Sequence, residues 1–153
     1  MTTEQKDLLL KDLCVRLPYR VKAYVKNWSK LDRKYYEGTY TVASIHPSLN
    51  DILVTSDKFS VEVILGYDDY EIKPYLFPLD SMTGEQIYEL RDILGDDFEI
   101  DKYGIIDLIR NRRTSLSYLE LDAMFEYFHK NYLDYRGLIK KDLALDATGL
   151  NIY

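Results

Sequence analysis

Tyr19-Arg20-Val21-Lys22-Ala23-Tyr24-Val25-Lys26-Asn27 alternates residue by residue. Tyr19, Val21, Ala23 and Val25 fall on one side, and Arg20, Lys22, Tyr24 and Lys26 on the other. Successive side chains of an extended chain point to opposite faces, so this period marks a half-buried strand with a basic outer face. The preceding stretch has a different period. Leu9, Leu10, Leu13, Cys14 and Leu17 recur at spacings of three and four, which predicts a helix over 3–17 with these residues on its buried stripe. Pro18 ends that helix, because proline offers no amide hydrogen to the ladder. A helix feeding directly into an alternating strand sets the class as α+β.

The rest of the chain extends this pattern. Residues 27–38 are polar and charged, end in Gly38 and read as a loop. Thr39 to Ile45 is rich in β-branched residues and predicts a second strand. His46-Pro47-Ser48-Leu49-Asn50-Asp51 is turn chemistry. Ile52 to Thr55 gives a third strand, and Phe59 to Leu65 a fourth by alternation. Gly66-Tyr67-Asp68-Asp69 suits a hairpin connection to a fifth strand at Tyr70–Ile72. Lys73-Pro74-Tyr75-Leu76-Phe77-Pro78-Leu79 is apolar but holds two prolines, and reads as an extended connector rather than a central strand. Thr83-Gly84-Glu85-Gln86 is a capping box opening a helix with Ile87, Leu90, Ile93 and Leu94 on one side and Gly95 at its end. Phe98 and Ile100 alternate with acids as a short strand, while Ile105 to Ile109 fits strand or helix. Ser117-Tyr118-Leu119-Glu120 is a second capping box. Leu121, Met124, Phe125, Phe128 and Tyr132 follow it at helical spacing. Residues 135–142 suit a further helical turn, and Leu143 to Tyr153 an extended tail.

The expected fold is a single α+β domain over 1–153, a mostly antiparallel sheet or small barrel of five to six strands with three packed helices. Its expected core holds Leu9, Leu13, Val21, Val25, Val61, Val63, Leu90, Leu121, Phe125 and Phe128.

Length and composition are those of a globular protein: 153 residues, 46% hydrophobic and 30% charged. No apolar run is long enough to cross a membrane or to serve as a signal peptide, so a cytoplasmic protein is expected. Fifteen tyrosines stand against 5 phenylalanines and 1 tryptophan. Half-buried sheet faces use such amphipathic rings, as do binding surfaces. Charge is segregated along the chain, with net +5 over 1–34, −12 over 35–109 and +1 over 110–153. An acidic face repels phosphates and attracts basic partners.

Three stretches carry a family resemblance. They are Leu8-Leu9-Leu10-Lys11-Asp12-Leu13, then Ile72-Lys73-Pro74-Tyr75-Leu76-Phe77-Pro78-Leu79-Asp80-Ser81-Met82-Thr83, and finally Asn131-Tyr132-Leu133-Asp134-Tyr135-Arg136-Gly137-Leu138-Ile139 with Lys141 and Leu143-Ala144-Leu145-Asp146. Together they resemble a group of uncharacterised small proteins of Bacteroides-type gut bacteria and their phages and prophages. The resemblance implies a phage-associated, cytosolic bacterial protein. It assigns no role to any residue.

Chemistry is sparse in the residue set. His46 and His129 lie far apart in sequence and read as surface histidines. Cys14, the only cysteine, reads as buried and inert on the first helix. No nucleophile elbow, dinucleotide fingerprint or phosphate loop occurs. The run Asp96-Asp97-Phe98-Glu99-Ile100-Asp101 fails the calcium-loop template, since Lys102 and Leu108 stand where glycine and glutamate are needed. No catalytic residue, cofactor or metal site is therefore expected. Basic residues interleaved with aromatics at Arg20, Lys22, Tyr24, Lys26 and Trp28, continuing through Lys30, Arg33, Lys34 and Tyr35, are the best nucleic-acid signal. The net charge of −6 and pI near 4.9 oppose it. The expectation is thus a non-enzymatic, phage- or mobile-element-associated interaction protein acting through a protein partner by its acidic middle. The alternative is a small single-stranded nucleic-acid-binding accessory using the strip 20–35.

Overall fold

The structure is a computed structural model that describes residues 1–29, 34–58, 60–65, 70–95, 98–100, 106–108 and 116–153. It is α+β, with a six-stranded, mostly antiparallel open sheet and three helices. The chain forms two compact units, Met1–Leu76 with Arg136–Tyr153, and Phe77–Tyr135.

The first unit opens with α1, Thr3–Arg16. Thr2 caps it in a capping box, its hydroxyl accepting from the Gln5 amide at 3.2 Å while the Gln5 carboxamide accepts from the Thr2 amide at 2.8 Å. Leu9, Leu10 and Leu13 are buried as expected. The buried stripe does not continue to Cys14, which is exposed. Asp12 and Arg16 complete the stripe instead, both fully buried. They are joined by two hydrogen bonds from the guanidinium to the carboxylate, Nε at 2.7 Å and Nη2 at 3.2 Å. A bidentate pair at i, i+4 can be buried because each charge satisfies the other, and it turns the helix so that Cys14 faces outward. Leu17–Tyr19 form a 3-10 turn closed by Arg20, whose φ of 57° is left-handed. The strand therefore begins after Arg20, not at Tyr19.

β1 (Lys22–Ser29) pairs along its whole length with β2 (Lys34–His46), from Lys22 opposite Thr41 to Ser29 opposite Lys34. The expected loop over 27–38 is thus mostly strand. Its aromatic residues Trp28, Tyr35 and Tyr36 suit a pleated surface, and Lys34 and Glu37 are exposed; Lys30 and Arg33 of the basic strip lie outside the described residues. β3 (Asp51–Thr55) and β4 (Ser60–Ile64) continue the meander. Phe59 and the connection Gly66–Asp69 lie outside the described residues.

β5 (Tyr70–Leu76) pairs with β1 and runs through Pro74, past the expected end at Ile72. The amide of Val42 donates to the carbonyl of Val21 at 3.0 Å. Antiparallel strands alternate bonded and non-bonded pairs. In this phase odd-numbered residues of β1 bond to β2, and even-numbered ones bond to β5. Pro74 faces Ala23, so its missing amide hydrogen points away from β1. On that side the short β8 (Leu145–Asp146) starts only opposite Tyr75. Pro74 thus stands on a local edge, where proline is tolerated. The strand order is β4-β3-β2-β1-β5-β8.

The core of this unit contains Leu9, Leu13, Val21, Val25, Ile52, Val54, Val61, Val63 and Leu76. Leu138, Leu143 and Ala147 of the returning segment join it. Residues 138–142 make i to i+3 turns, Lys141 to Leu138 and Asp142 to Ile139, in place of the expected helical turn. Arg136 places its Nε 3.3 Å from the Asp12 carboxylate, tying this segment to α1.

The second unit holds α2 (Gly84–Leu94), β6 (Phe98–Ile100), β7 (Ile106–Leu108) and α3 (Tyr118–Lys130). Both helices start with the capping boxes read from sequence, at Thr83 with Gln86 and Ser117 with Glu120. β6 and β7 form a separate antiparallel pair, so the open reading of Ile105 to Ile109 resolves as strand over Ile106–Leu108. Leu90, Leu94, Met124, Tyr127, Phe128 and Leu133 form the core. The expected core positions Leu121 and Phe125 are 37% and 38% exposed. Tyr127 is the reason. Its hydroxyl lies 3.0 Å from the Gln86 carbonyl and 2.9 Å from a Glu89 carboxylate oxygen, both on α2. That anchor turns the buried face of α3 toward Met124, Tyr127 and Phe128, away from Leu121 and Phe125.

Candidate functional site

The basic and aromatic strip is the one sequence-derived candidate, and four of its five residues share a face. Lys22, Tyr24, Lys26 and Trp28 occupy the outward positions of β1, while Val21, Val25 and Asn27 turn inward. Arg20 is not among them, because it sits in the left-handed position before the strand. Across the ladder, Tyr24 faces Thr39, Lys26 faces Glu37 and Trp28 faces Tyr35 on β2. On the other side Tyr24 faces Lys73, and Lys26 faces Glu71 on β5.

The lysines of this face have local partners. Lys22 donates to the Ile152 carbonyl and stands 5.9 Å from the centre of the Tyr153 ring. The Tyr153 hydroxyl lies 2.8 Å from the Tyr75 carbonyl and accepts from the Lys22 amide at 3.2 Å, so the tail covers this end of the face. Lys73 bridges Glu71 at 3.1 Å and Asp142 at 2.7 Å, which raises its pKa. Lys26 is the exposed cation, 5.9 Å over the Tyr35 ring. Its register places a carboxylate residue on each side.

Tyr24 donates to Glu37 at 2.8 Å. That bond, with some desolvation and the nearby carboxylates, pushes the phenol up to about 12. Trp28 and Tyr35 meet with ring centres 4.6 Å apart, tilted by 53°. Tyr35 is 61% exposed. Pairs of this geometry carry interaction energy beyond their buried area, and such rings serve as anchors at protein interfaces.

Tyr35 belongs to the strip read from sequence, whereas Glu37 stands in a segment whose polar character suits a loop and Glu71 is brought close only by the sheet order. The other reactive residues do not gather. His46 is exposed. The His129 Nε2 and the Tyr135 hydroxyl share a hydrogen bond at 2.8 Å in the second unit. Cys14 is exposed beside Asp7, Lys11, Val15, Pro47 and Arg136 in an open, apolar hollow of about 450 Å³. Partial desolvation pushes its thiol up, which favours the protonated, unreactive form. Among the described residues no three His, Cys, Asp or Glu side chains are placed to hold a metal ion. No helix among them is long and apolar enough to cross a membrane. Comparison with protein-family models, curated proteins and solved structures finds no match to this chain.

Proposed function

We propose that this chain is a non-enzymatic interaction protein, associated with a phage or mobile element of a Bacteroides-type bacterium, that acts through a protein partner. The observation that carries the reading is the outer face of β1 and β2. There the half-buried Trp28 and the exposed Tyr35 form a ring pair that adjoins Lys26, with Glu37 and Glu71 at the flanking register positions. A polyanion gains from a continuous run of free cations, and here positive and negative residues interleave. A protein surface of mixed charge, with an apolar group to cover the two rings, suits this face better.

The distribution of charge supports the same reading. Residues 77–135 contain 13 acidic and 6 basic side chains, net −7, while the sheet unit as a whole is close to neutral. The acidic middle of the sequence is therefore shared between the units, and its larger excess lies in the second. That unit also exposes Tyr118, Leu121 and Phe125 on α3.

Titration with a single-stranded oligonucleotide in about 50 mM salt, followed by Trp28 emission, tests this reading. No response is expected. Micromolar binding that weakens with salt and disappears in the Lys22→Glu, Lys26→Glu double variant overturns it in favour of nucleic acid. The positive arm is co-isolation of a partner from the native host, which the Trp28→Ala, Tyr35→Ala double variant should lose.

A further inference from the structure

The outer face of β1 and β2 borders an edge whose hydrogen-bonding groups no strand occupies among the described residues. β2 pairs with β1 from Lys34 onward, and with β3 only from Thr41. The bond from Val42 to Val21 fixes the phase of the ladder. Tyr36, Gly38 and Tyr40 direct their backbone groups to β1, so Tyr35, Glu37 and Thr39 direct theirs away from it. Three amide donors and three carbonyl acceptors thus line one side of the strand. Their side chains fall on the same outward face as Trp28 and Lys26.

Sheet edges are usually blocked by proline, by a bulge, or by inward charges. This segment has no proline, the bulge of β2 lies further on, between Val42 and Ser44, and the one charge at an inward register position is the exposed Lys34 at its start. Its residues Tyr35, Tyr36, Thr39 and Tyr40 favour extended backbone. We infer that the edge at 34–39 takes up an extended segment of the protein partner as an added strand, with a basic residue of that segment opposite Glu37.

The choice of occupant rests on charge. A second copy of this chain would add by a two-fold axis. The antiparallel register that uses all three outward residues on both copies sets Glu37 against Glu37 and Tyr35 against Thr39. Like charges directly opposite are destabilising, and opposite charges are favourable. A foreign strand with lysine or arginine at that position gains where a second copy loses. Two residues along, an apolar side chain meets the Tyr35 ring. Main-chain bonds then supply affinity, and alternate side chains supply selectivity.

This inference rests on the protein-partner reading, and its test can fail separately. The full chain, isotope-labelled, is examined by amide hydrogen exchange alone and with two synthetic heptapeptides, Thr-Val-Thr-Lys-Thr-Val-Thr and the same sequence with central glutamate. In the free chain the amides of Tyr35, Glu37 and Thr39 should exchange fast, and those of Tyr36, Gly38 and Tyr40 slowly. The lysine peptide should slow the first three, and bind about five-fold more tightly than the glutamate peptide at low salt. Thr39→Pro removes an outward amide and no bond to β1, and should abolish the protection. Thr39→Val, which loses the hydroxyl but keeps the amide, should retain it. If Thr39→Pro does not fold, a peptide N-methylated at the edge-facing positions replaces it and should not bind. Slow exchange of Tyr35, Glu37 and Thr39 in the free chain overturns the inference. So does undiminished binding after the amide is blocked, or self-association that protects the same amides. Co-isolation of a partner that depends on Trp28 but not on the Thr39 amide overturns the added strand while leaving the protein-partner reading intact.

Discussion

The carboxamide of Asn27, on β1, donates to the backbone carbonyl of Glu62, on β4, at 3.0 Å, although β2 and β3 separate those strands in the sheet order. The sheet is open, yet it coils far enough to bring β4 over the inner side of β1. Asn27 is 5% exposed. Its amide thus satisfies a carbonyl on an edge strand that has no further neighbour in the sheet among the described residues. Asn27→Leu should leave that carbonyl without its donor and cost about 1–3 kcal/mol in a urea series. A loss below the error of the measurement would show that the coil does not depend on this bond.

Asp12 is fully buried between Arg16 and Arg136. Removing the carboxylate leaves a buried guanidinium without its counter-charge, so Asp12→Ala should cost about 3–5 kcal/mol. Asp12→Leu combined with Arg16→Met removes both charges of the helical pair. It should recover most of the loss, since hydrophobic replacement of a buried ion pair is often neutral. Equilibrium unfolding of the three proteins decides it, and a double variant no better than Asp12→Ala would contradict the account.

Phe125 and Phe128 sit three residues apart on α3 with ring centres 6.4 Å apart, yet only Phe128 is buried. Phe128→Ala should cost about 3–5 kcal/mol. Phe125→Ala should cost clearly less, about 1–2 kcal/mol, because much of its ring already meets water. Equal losses in denaturation would restore Phe125 to the core, where helical spacing alone had placed it.

Two tyrosines should set the alkaline limit. The Tyr24 phenol is held near 12 by Glu37, and burial together with Glu89 raises Tyr127 above the ordinary phenol range. A phenol whose pKa is higher folded than unfolded keeps its proton more firmly in the native state. Its stabilising contribution is complete below the unfolded value of about 10, and declines as pH rises through the folded value. Stability should therefore fall above about pH 10. Absorbance titration should show these two phenols among the last to ionise. Tyr24→Phe and Tyr127→Phe should each remove one late step, and a titration unchanged by both would refute the assignment.

What the sequence shows clearly is local. Thr83 with Gln86 and Ser117 with Glu120 announce helix starts, since a capping box is complete within four residues. The alternation of Val21, Ala23 and Val25 marks one strand, and that of Val61 and Val63 another. The losses come where a distant partner decides. Lys34 to Gly38 looks like loop because it belongs to a polar, charged stretch that ends in glycine, and only the ladder to β1 reveals it as strand. Asp12 and Arg16 look like solvated helix positions until they are seen to satisfy each other. Pro74 is acceptable in β5 because of where β8 happens to begin. Leu121 and Phe125 have the spacing of core residues, but the hydroxyl of Tyr127 chooses the buried side. The candidate surface has the same history: its lysines were visible, whereas Glu37, Glu71 and the open edge depend on strand neighbours.

The sheet unit is assembled from both ends of the described chain, with Phe77–Tyr135 contained within the interval. This arrangement bears on vectorial synthesis. The ribosome delivers β1 to β5 early, but Leu138, Leu143 and Ala147, which complete their core, and Arg136, which meets Asp12, emerge only after the whole intervening unit. The intervening unit is contiguous and can condense as soon as it leaves the exit tunnel, as domains generally do. The first-made strands of the sheet unit therefore belong to the unit that is completed last. During that wait its nascent strands carry exposed apolar surface, which makes the interval before Arg136 emerges the time at which a chaperone has most to protect.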